Sequence, residues 1–220
     1  VLVRGKNNVE ALDQGAATVR LFLVSSNPGK LKEFRALAVN VPGNVQIDVQ
    51  LLPHFSRLPV FEESAPTFAE NAAGKALYYS RFSDGPVIAD DSGLVVDALG
   101  GAPGVLSARY AGPHASSIER IEKLLGDMRA KGSNDRRARF VCVIALAVPV
   151  RVGAVFSDAV EGEILESGRG TAGFGYDPIF FFGPAGKSFA EMSGDEKNRY
   201  SHRAKGFRKL ADFLASSPML

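Results

Sequence analysis

VRLFLVSSNPGKLKEFRALA, residues 19–38, decides the fold class. Val19 to Ser25 is an apolar, β-branched run ending in small polar residues, which predicts a strand. Asn27 then offers a helix N-cap and Pro28 a first-turn proline, so a helix is expected through about Ala38. The alternation repeats downstream. Val45 to Leu51 reads as a second strand, and Thr67-Phe68-Ala69-Glu70 has the spacing of a capping box that opens an Ala-rich helix to about Phe82. Pro86 to Ala89 leads into Asp90-Asp91-Ser92-Gly93, read as a polar turn, and then Leu94-Val95-Val96; the acidic pair is therefore expected where a strand meets a loop.

Ser116 with Glu119 forms another capping box, and Ile118, Ile121, Leu125 and Met128 supply the apolar stripe of a helix that stops before Lys131-Gly132. Ala138 to Ala147 and Val152 to Ile164 read as extended, Gly168 to Gly175 as loop, and Ile179 to Phe182 as a short aromatic strand. A last helix carries Phe207, Leu210, Ala211 and Leu214. The order is that of a mixed α/β protein without repeats or a long linker, so residues 19–216 are expected to form one domain. Residues 1–18 mix Arg4, Lys6, Glu10 and Asp13 with Gly and Asn; they lack the apolar core of a signal peptide and read as a disordered extension.

Composition excludes several functions. The 220 residues are 45% hydrophobic and 23% charged, with 26 Lys and Arg against 24 Asp and Glu and a net charge of +2. That balance is too mild for a protein that coats a nucleic-acid polymer, and Arg136-Arg137-Ala138-Arg139 reads as a solvated strand entry. A membrane span needs about 20 apolar residues; the longest run, Phe140 to Val150, is far shorter and contains Pro149. The single cysteine, Cys142, has no partner within the chain and lies in that run, so a buried reduced thiol and a cytoplasmic setting are expected.

Four segments could carry chemistry. Ser25, Ser26, Asn27, Pro28, Gly29 and Lys30 join a strand end, a helix N-terminus and an ammonium, which suits phosphate, although an ordinary capped helix with an exposed lysine has the same residues. Asp90-Asp91-Ser92-Gly93 places two carboxylates together after an apolar strand; Mg²⁺ is the natural neutralising partner, with Glu62 and Glu63 as further acidic ligands, while a capped turn is the plainer reading. Phe174, Gly175, Tyr176 and Asp177 follow Gly173 and could present an aromatic ring to a flat base, or fold it into the core. Lys197, His202 and Arg203 concentrate donors near the last helix, where single lysines and arginines are more often solvated.

Taken together, these segments closely resemble the inosine triphosphate pyrophosphatase family, the non-canonical purine nucleoside triphosphate pyrophosphatases. The likeness runs from Leu21 to Leu214 and includes Thr67-Phe68-Ala69-Glu70-Asn71-Ala72, the stretch from Ala89 to Tyr110 and Ser201-His202-Arg203. The resemblance implies an elongated mixed β-sheet flanked by helices, with two lobes around a nucleotide cleft, and a homodimer. It implies Mg²⁺-dependent hydrolysis of ITP, dITP and XTP between the α and β phosphates. Asp91 matches the catalytic and metal-binding carboxylate and Glu62 the second acidic ligand, although a one-residue slip exchanges Glu62 with Glu63. By the same likeness residues 25–30 hold the triphosphate, Ser92 touches the nucleotide, Phe174 to Asp177 form the base pocket, and Lys197, His202 and Arg203 contact substrate. Donors from His202 or Arg203 would match the 6-oxo group of hypoxanthine and xanthine and clash with the adenine amino group. Two rival readings are a pyrophosphatase for pyrimidine nucleotides and a module that binds purine triphosphates without turnover.

Overall fold

The computed structural model describes residues 17–41, 45–149 and 151–216. Most of the expected N-terminal extension, residues 1–16, lies outside the described residues. The described chain builds β1 (Ala17–Leu23), α1 (Pro28–Val39), β2 (Val45–Leu51), α2 (Phe68–Tyr79), β3 (Val87–Val96), α3 (Ser117–Lys131), β4 (Arg137–Val148), β5 (Arg151–Ile164), β6 (Phe180–Phe182), β7 (Lys187–Ser188), α4 (Gly194–Tyr200) and α5 (His202–Ser216). One seven-stranded sheet has the order β2-β1-β3-β4-β5-β6-β7. Its β2, β1 and β3 strands run parallel and the remaining neighbours antiparallel, as expected of a mixed sheet. Among the described residues no helix is long and apolar enough to cross a membrane.

Local chemistry fixes the helix starts. Asn27 caps α1 by accepting from the Gly29 and Lys30 amides, with Pro28 in the first turn. Ser116 and Glu119 form the complete reciprocal box on α3. Thr67 caps α2 through the Glu70 amide, but the Glu70 carboxylate takes the Thr67 hydroxyl at 2.6 Å rather than the backbone amide, so the expected box is only half made. On α3 the buried residues are Leu124 and Met128, while Ile118 is 69% exposed, which rotates the apolar stripe away from the sequence expectation.

The acidic pair is the main correction. Asp90-Asp91-Ser92-Gly93 is not a turn: β3 runs unbroken from Val87 to Val96, and its ladder with β4 pairs Asp90 with Ile144, Asp91 with Val143 and Ser92 with Cys142. Locally the tetrad has turn composition, but ten paired residues on β4 override it. Successive side chains of a strand point to opposite faces. Ile88 joins the core under α1 and α5, whereas Val87 and Ala89 join the core under α2. A third apolar cluster, including Leu94, Leu124, Phe180 and Phe189, fills the other end of the sheet.

Gly93 allows a 3₁₀ turn at 104–109 to close on β3: an added Cβ would lie 2.5 Å from the Gly104 carbonyl and against the Ser107 hydroxyl. Gly93→Ala is therefore expected to lower stability by about 1–3 kcal/mol in urea unfolding, as overpacking does; an unchanged midpoint would show that this turn yields freely.

Candidate active site

β1 ends at Leu23, but β3 continues to Val96, so one edge of β3 is left without a strand partner between the last β1 pairing at Ile88 and the bridge of Val95 to Pro103. The turn from β1 into α1 lies against that edge. Val24 donates to the Ile88 carbonyl, and the Lys30 ammonium donates to the Asp90 carbonyl at 3.0 Å. A cleft follows this edge, lined by Ser25, Ser26, Asn27, Lys30, Asp91 and Ser92 on one part and by Phe174, Gly175, Tyr176, Asp177, Lys197, His202 and Arg203 on another. The positive end of the α1 dipole and the Lys30 ammonium make the first part suited to an anion. Gly29 allows the two parts to touch, because a Cβ there would lie 2.7 Å from the Phe174 ring. Pro28 is exposed and serves the helix start.

Asp90 and Asp91 face opposite sides of the sheet and have opposite environments. Asp90, 2% exposed, accepts from Arg203 Nε at 2.8 Å and lies 3.5 Å from the Lys30 ammonium. Burial would raise its pKa, but the Arg203 and then the Lys30 charge hold it well below the ordinary carboxylate range. Arg203 also donates to Glu33 and, at 2.8 Å, to the Ser92 hydroxyl. Burial opposes ionisation of Glu33 too, yet Arg203 and Lys197 lower its pKa. Lys197 donates to Glu33 at 2.8 Å and to Asp177 at 2.6 Å, and Asp177 in turn accepts from the Phe174 amide. Lys197 and Arg203 are 5% and 2% exposed, so neither is a solvated helix charge.

Asp91 has no such cation pair. Its Oδ2 is buried without a hydrogen-bond partner, and burial, reinforced by Glu63, raises its pKa to about 6. Glu63 lines the cleft and its carboxylate accepts from Lys75 at 2.5 Å. Of the two adjacent glutamates the structure turns Glu63 to the cleft, while Glu62, expected from the resemblance as the second acidic ligand, is exposed and outside the lining. Alternating side-chain direction in an extended segment separates the two residues, and sequence alone does not give its phase.

In the aromatic segment, Phe174 is half-buried, with the Lys197 ammonium 5.0 Å from its ring centre. Gly173 has φ of 74° and its Cα faces the Asp177 carboxylate, so a side chain would be strained and obstructed. Tyr176 is a core residue, its hydroxyl donating to the Ser107 carbonyl at 3.0 Å. His202 stacks on Phe140 at 4.8 Å, and its buried Nδ1 has no partner. Burial, followed by Arg203 and Lys197, pushes its pKa well below the ordinary value, so the imidazole is neutral at pH 7. Sequence reading passed over Glu33, Lys75, Arg109 and Arg120. The last three line the same cleft; four-residue spacing of polar groups on α2 is a signal for Lys75 alone.

Fold and cleft define a class: an open mixed-sheet α/β protein that presents a helix N-terminus beside a buried carboxylate with an unpartnered oxygen. The chain belongs to the Ham1 family, whose model matches residues 21–213. It is 46% identical over 190 residues to a dITP/XTP pyrophosphatase of Geobacillus kaustophilus, covering 86% of this chain and 91% of that protein. A dITP/XTP pyrophosphatase of Thermus thermophilus is 44% identical over 200 residues, 91% of this chain and 94% of its own. Among solved structures, a HAM1 protein from Coxiella burnetii matches with a TM-score of 0.80 at 39% identity, over 90% of this chain and 100% of that one.

Two stability outcomes follow from the charges. Arg203→Met leaves Asp90 with Lys30 alone and Glu33 with Lys197 alone and is expected to cost about 3–5 kcal/mol in urea unfolding; a loss below about 1 kcal/mol would contradict the arrangement. Asp91 behaves oppositely. Its folded pKa, about 6, lies above the ordinary 3.8, so the folded state binds the extra proton and stability falls as pH rises between those values. Asp91→Asn is thus expected to match wild type near pH 4 and to exceed it by about 2 kcal/mol at pH 8 without divalent metal; equal stability at both pH values would show that Asp91 is not strained.

Proposed function

We propose that this chain is a Mg²⁺-dependent nucleoside-triphosphate pyrophosphohydrolase that converts ITP, dITP and XTP to the monophosphate and pyrophosphate, and so removes them from the nucleotide pool. The observation that carries the reading is Asp91, a buried carboxylate with an unpartnered oxygen and a pKa raised to about 6, on the edge of a cleft that opens with a helix-terminus turn. The names of the relatives support the same substrates.

Asp91 and Glu63 fit a hard divalent cation: both offer carboxylate oxygens to the cleft, and one of those oxygens lacks any partner. Among the described residues no group of three or more His, Cys, Asp or Glu side chains is gathered to enclose a metal, which suits Mg²⁺, an ion that keeps waters and substrate phosphates in its shell. When bound, Mg²⁺ neutralises charge on phosphate oxygens. The chain's own groups do the rest. The 25–30 turn and Lys30 hold the polyphosphate; Asp91 accepts a proton from the attacking water as its oxygen bonds to phosphorus and the α–β bridge breaks, releasing pyrophosphate. In the metal-free fold that carboxylate holds its proton more tightly than an ordinary one, and a cation beside it would favour the ionised form that accepts a proton from water.

Base choice is assigned to His202. Nε, Nη1 and Nη2 of Arg203 already donate to Asp90, Glu33 and Ser92, so of the two donors expected from sequence the neutral imidazole is the one without such commitments. A 6-oxo purine matches an N–H donor there, and an adenine amino group does not. The proposal includes a homodimer, from the family resemblance, and a cytoplasmic setting that keeps Cys142 reduced.

Pyrophosphate release from ITP, XTP, dITP, GTP and ATP, with and without Mg²⁺, tests the reading. Metal-dependent turnover of ITP, dITP and XTP, lowered by about 10²-fold or more in Asp91→Asn, is expected. Nucleotide binding without turnover in the wild type would favour a sensing module instead. His202→Ala is expected to lower the ITP-to-ATP ratio of kcat/KM by about tenfold or more, one lost matched hydrogen bond; an unchanged ratio would move base choice elsewhere.

A further inference from the structure

Glu63 stands on a segment that belongs to neither helix nor strand, yet side chains hold its backbone at alternate residues from 59 to 65. The Pro59 carbonyl accepts from the Tyr79 hydroxyl at 3.0 Å, and the Phe61 amide donates to the same oxygen at 3.1 Å. The Glu63 carbonyl accepts from Arg109 Nη2 at 2.8 Å. Ala65 is held twice by Asn71, its amide donating to Oδ1 at 3.0 Å and its carbonyl accepting from Nδ2 at 3.2 Å. The Glu63 carboxylate itself rests on Lys75.

Asn71, Lys75 and Tyr79 stand four residues apart on α2, and such residues share one face of a helix. Asn71 and Tyr79 are 1% and 3% exposed. The segment lies close against this helix, for a Cβ at Gly74 would come within 2.8 Å of the Phe61 ring. These contacts do what a neighbouring strand would otherwise do. They also oppose a definite force: two carboxylates facing one cleft repel each other, and an unheld segment would relax by carrying Glu63 away from Asp91.

We propose that Asn71, Tyr79 and Arg109 are positioning residues that hold the Glu63 carboxylate beside Asp91 for a divalent cation. This rests on the reading that Asp91 and Glu63 together bind the metal. Residues behind a metal's ligands commonly set its affinity by 10–100-fold. Asn71 makes two ties to Ala65 and its side chain also faces the Asp91 carboxylate, so its loss should matter most; Tyr79 holds residues 59 and 61 alone and isolates the effect of the segment.

Binding of Mn²⁺ alone to the full chain, followed by calorimetry and by the loss of free-ion electron paramagnetic resonance signal, separates the possibilities. Asn71→Ala is expected to raise the Mn²⁺ Kd by about 10–100-fold and Arg109→Gln and Tyr79→Phe by about 3–10-fold. In turnover, the activation constant for metal should rise in the same order, while for Tyr79→Phe, which lies outside the cleft lining, saturating metal returns kcat to within about threefold of wild type, a recovery that general damage to the fold would not give. Should Asn71→Ala not fold, Tyr79→Phe and Arg109→Gln still decide the matter. Folded variants that bind Mn²⁺ as wild type does would overturn the positioning role. Wild type that binds no Mn²⁺, or binds it equally well as Asp91→Asn, would instead overturn the metal reading beneath it.

Discussion

The guanidinium of Arg203 is the constraint on which the site depends. Arg203 is the largest side chain among the fully buried ones described, and an unpaired charge at such a place would be prohibitively unfavourable. Its fork is met by Asp90 and Ser92 from β3 and by Glu33 from α1, so α5, β3 and α1 are fixed to one another. From there the charges alternate outward. Asp90 reaches Lys30 in the turn between β1 and α1; Glu33 reaches Lys197, which reaches Asp177 and through it the Phe174 amide. The helix-terminus end and the aromatic end of the cleft are thereby joined through one buried ionic chain. Such chains contribute little net stability compared with apolar packing, but each member leaves its neighbours uncompensated when removed.

Strand alternation then divides two neighbouring carboxylates between two tasks. Asp90 turns to the face of α1 and α5, meets two cations and is held ionised as part of the frame. Asp91, one residue on, turns to the face of α2, where burial and Glu63 make its charge unfavourable and no partner satisfies its Oδ2. The same side chain is a fixed structural anion at one position and a carboxylate pushed toward its neutral form at the next. Environments that push the pKa values of two acids apart are how one scaffold can support two roles. Burial of a carboxylate with an unpartnered oxygen lowers the stability of the fold, and a cation bound there, as proposed, would relieve that cost.

Much of this was legible because it is local. The strand and helix at 19–38 follow from Asn27 and Pro28, and the α3 start follows from Ser116 and Glu119. The unbroken course of β3 was not legible: its polar tetrad has the composition of a turn and is held extended by β4, some fifty residues later in the chain (about 52 between Asp90 and Cys142). Burial of Lys197 and Arg203 was equally hidden, since their counter-ions Glu33 and Asp90 lie far off in sequence. Glu62 and Glu63 differ only in which side of an extended segment they face, and the phase is set by ties from Asn71, Arg109 and Tyr79 that no local pattern announces. The four-residue polar spacing on α2 was visible, but what it faced was not.

The opposed environments of Asp90 and Asp91 are the central claim, and carboxyl ¹³C NMR on selectively labelled, metal-free protein tests them most directly. Asp91 should titrate near 6, and Asp90 should stay ionised well below the ordinary carboxylate range, for as long as the fold survives acid. Two ordinary titrations near 3.8, or a raised value at Asp90 instead, would contradict the division of labour between the two faces of β3.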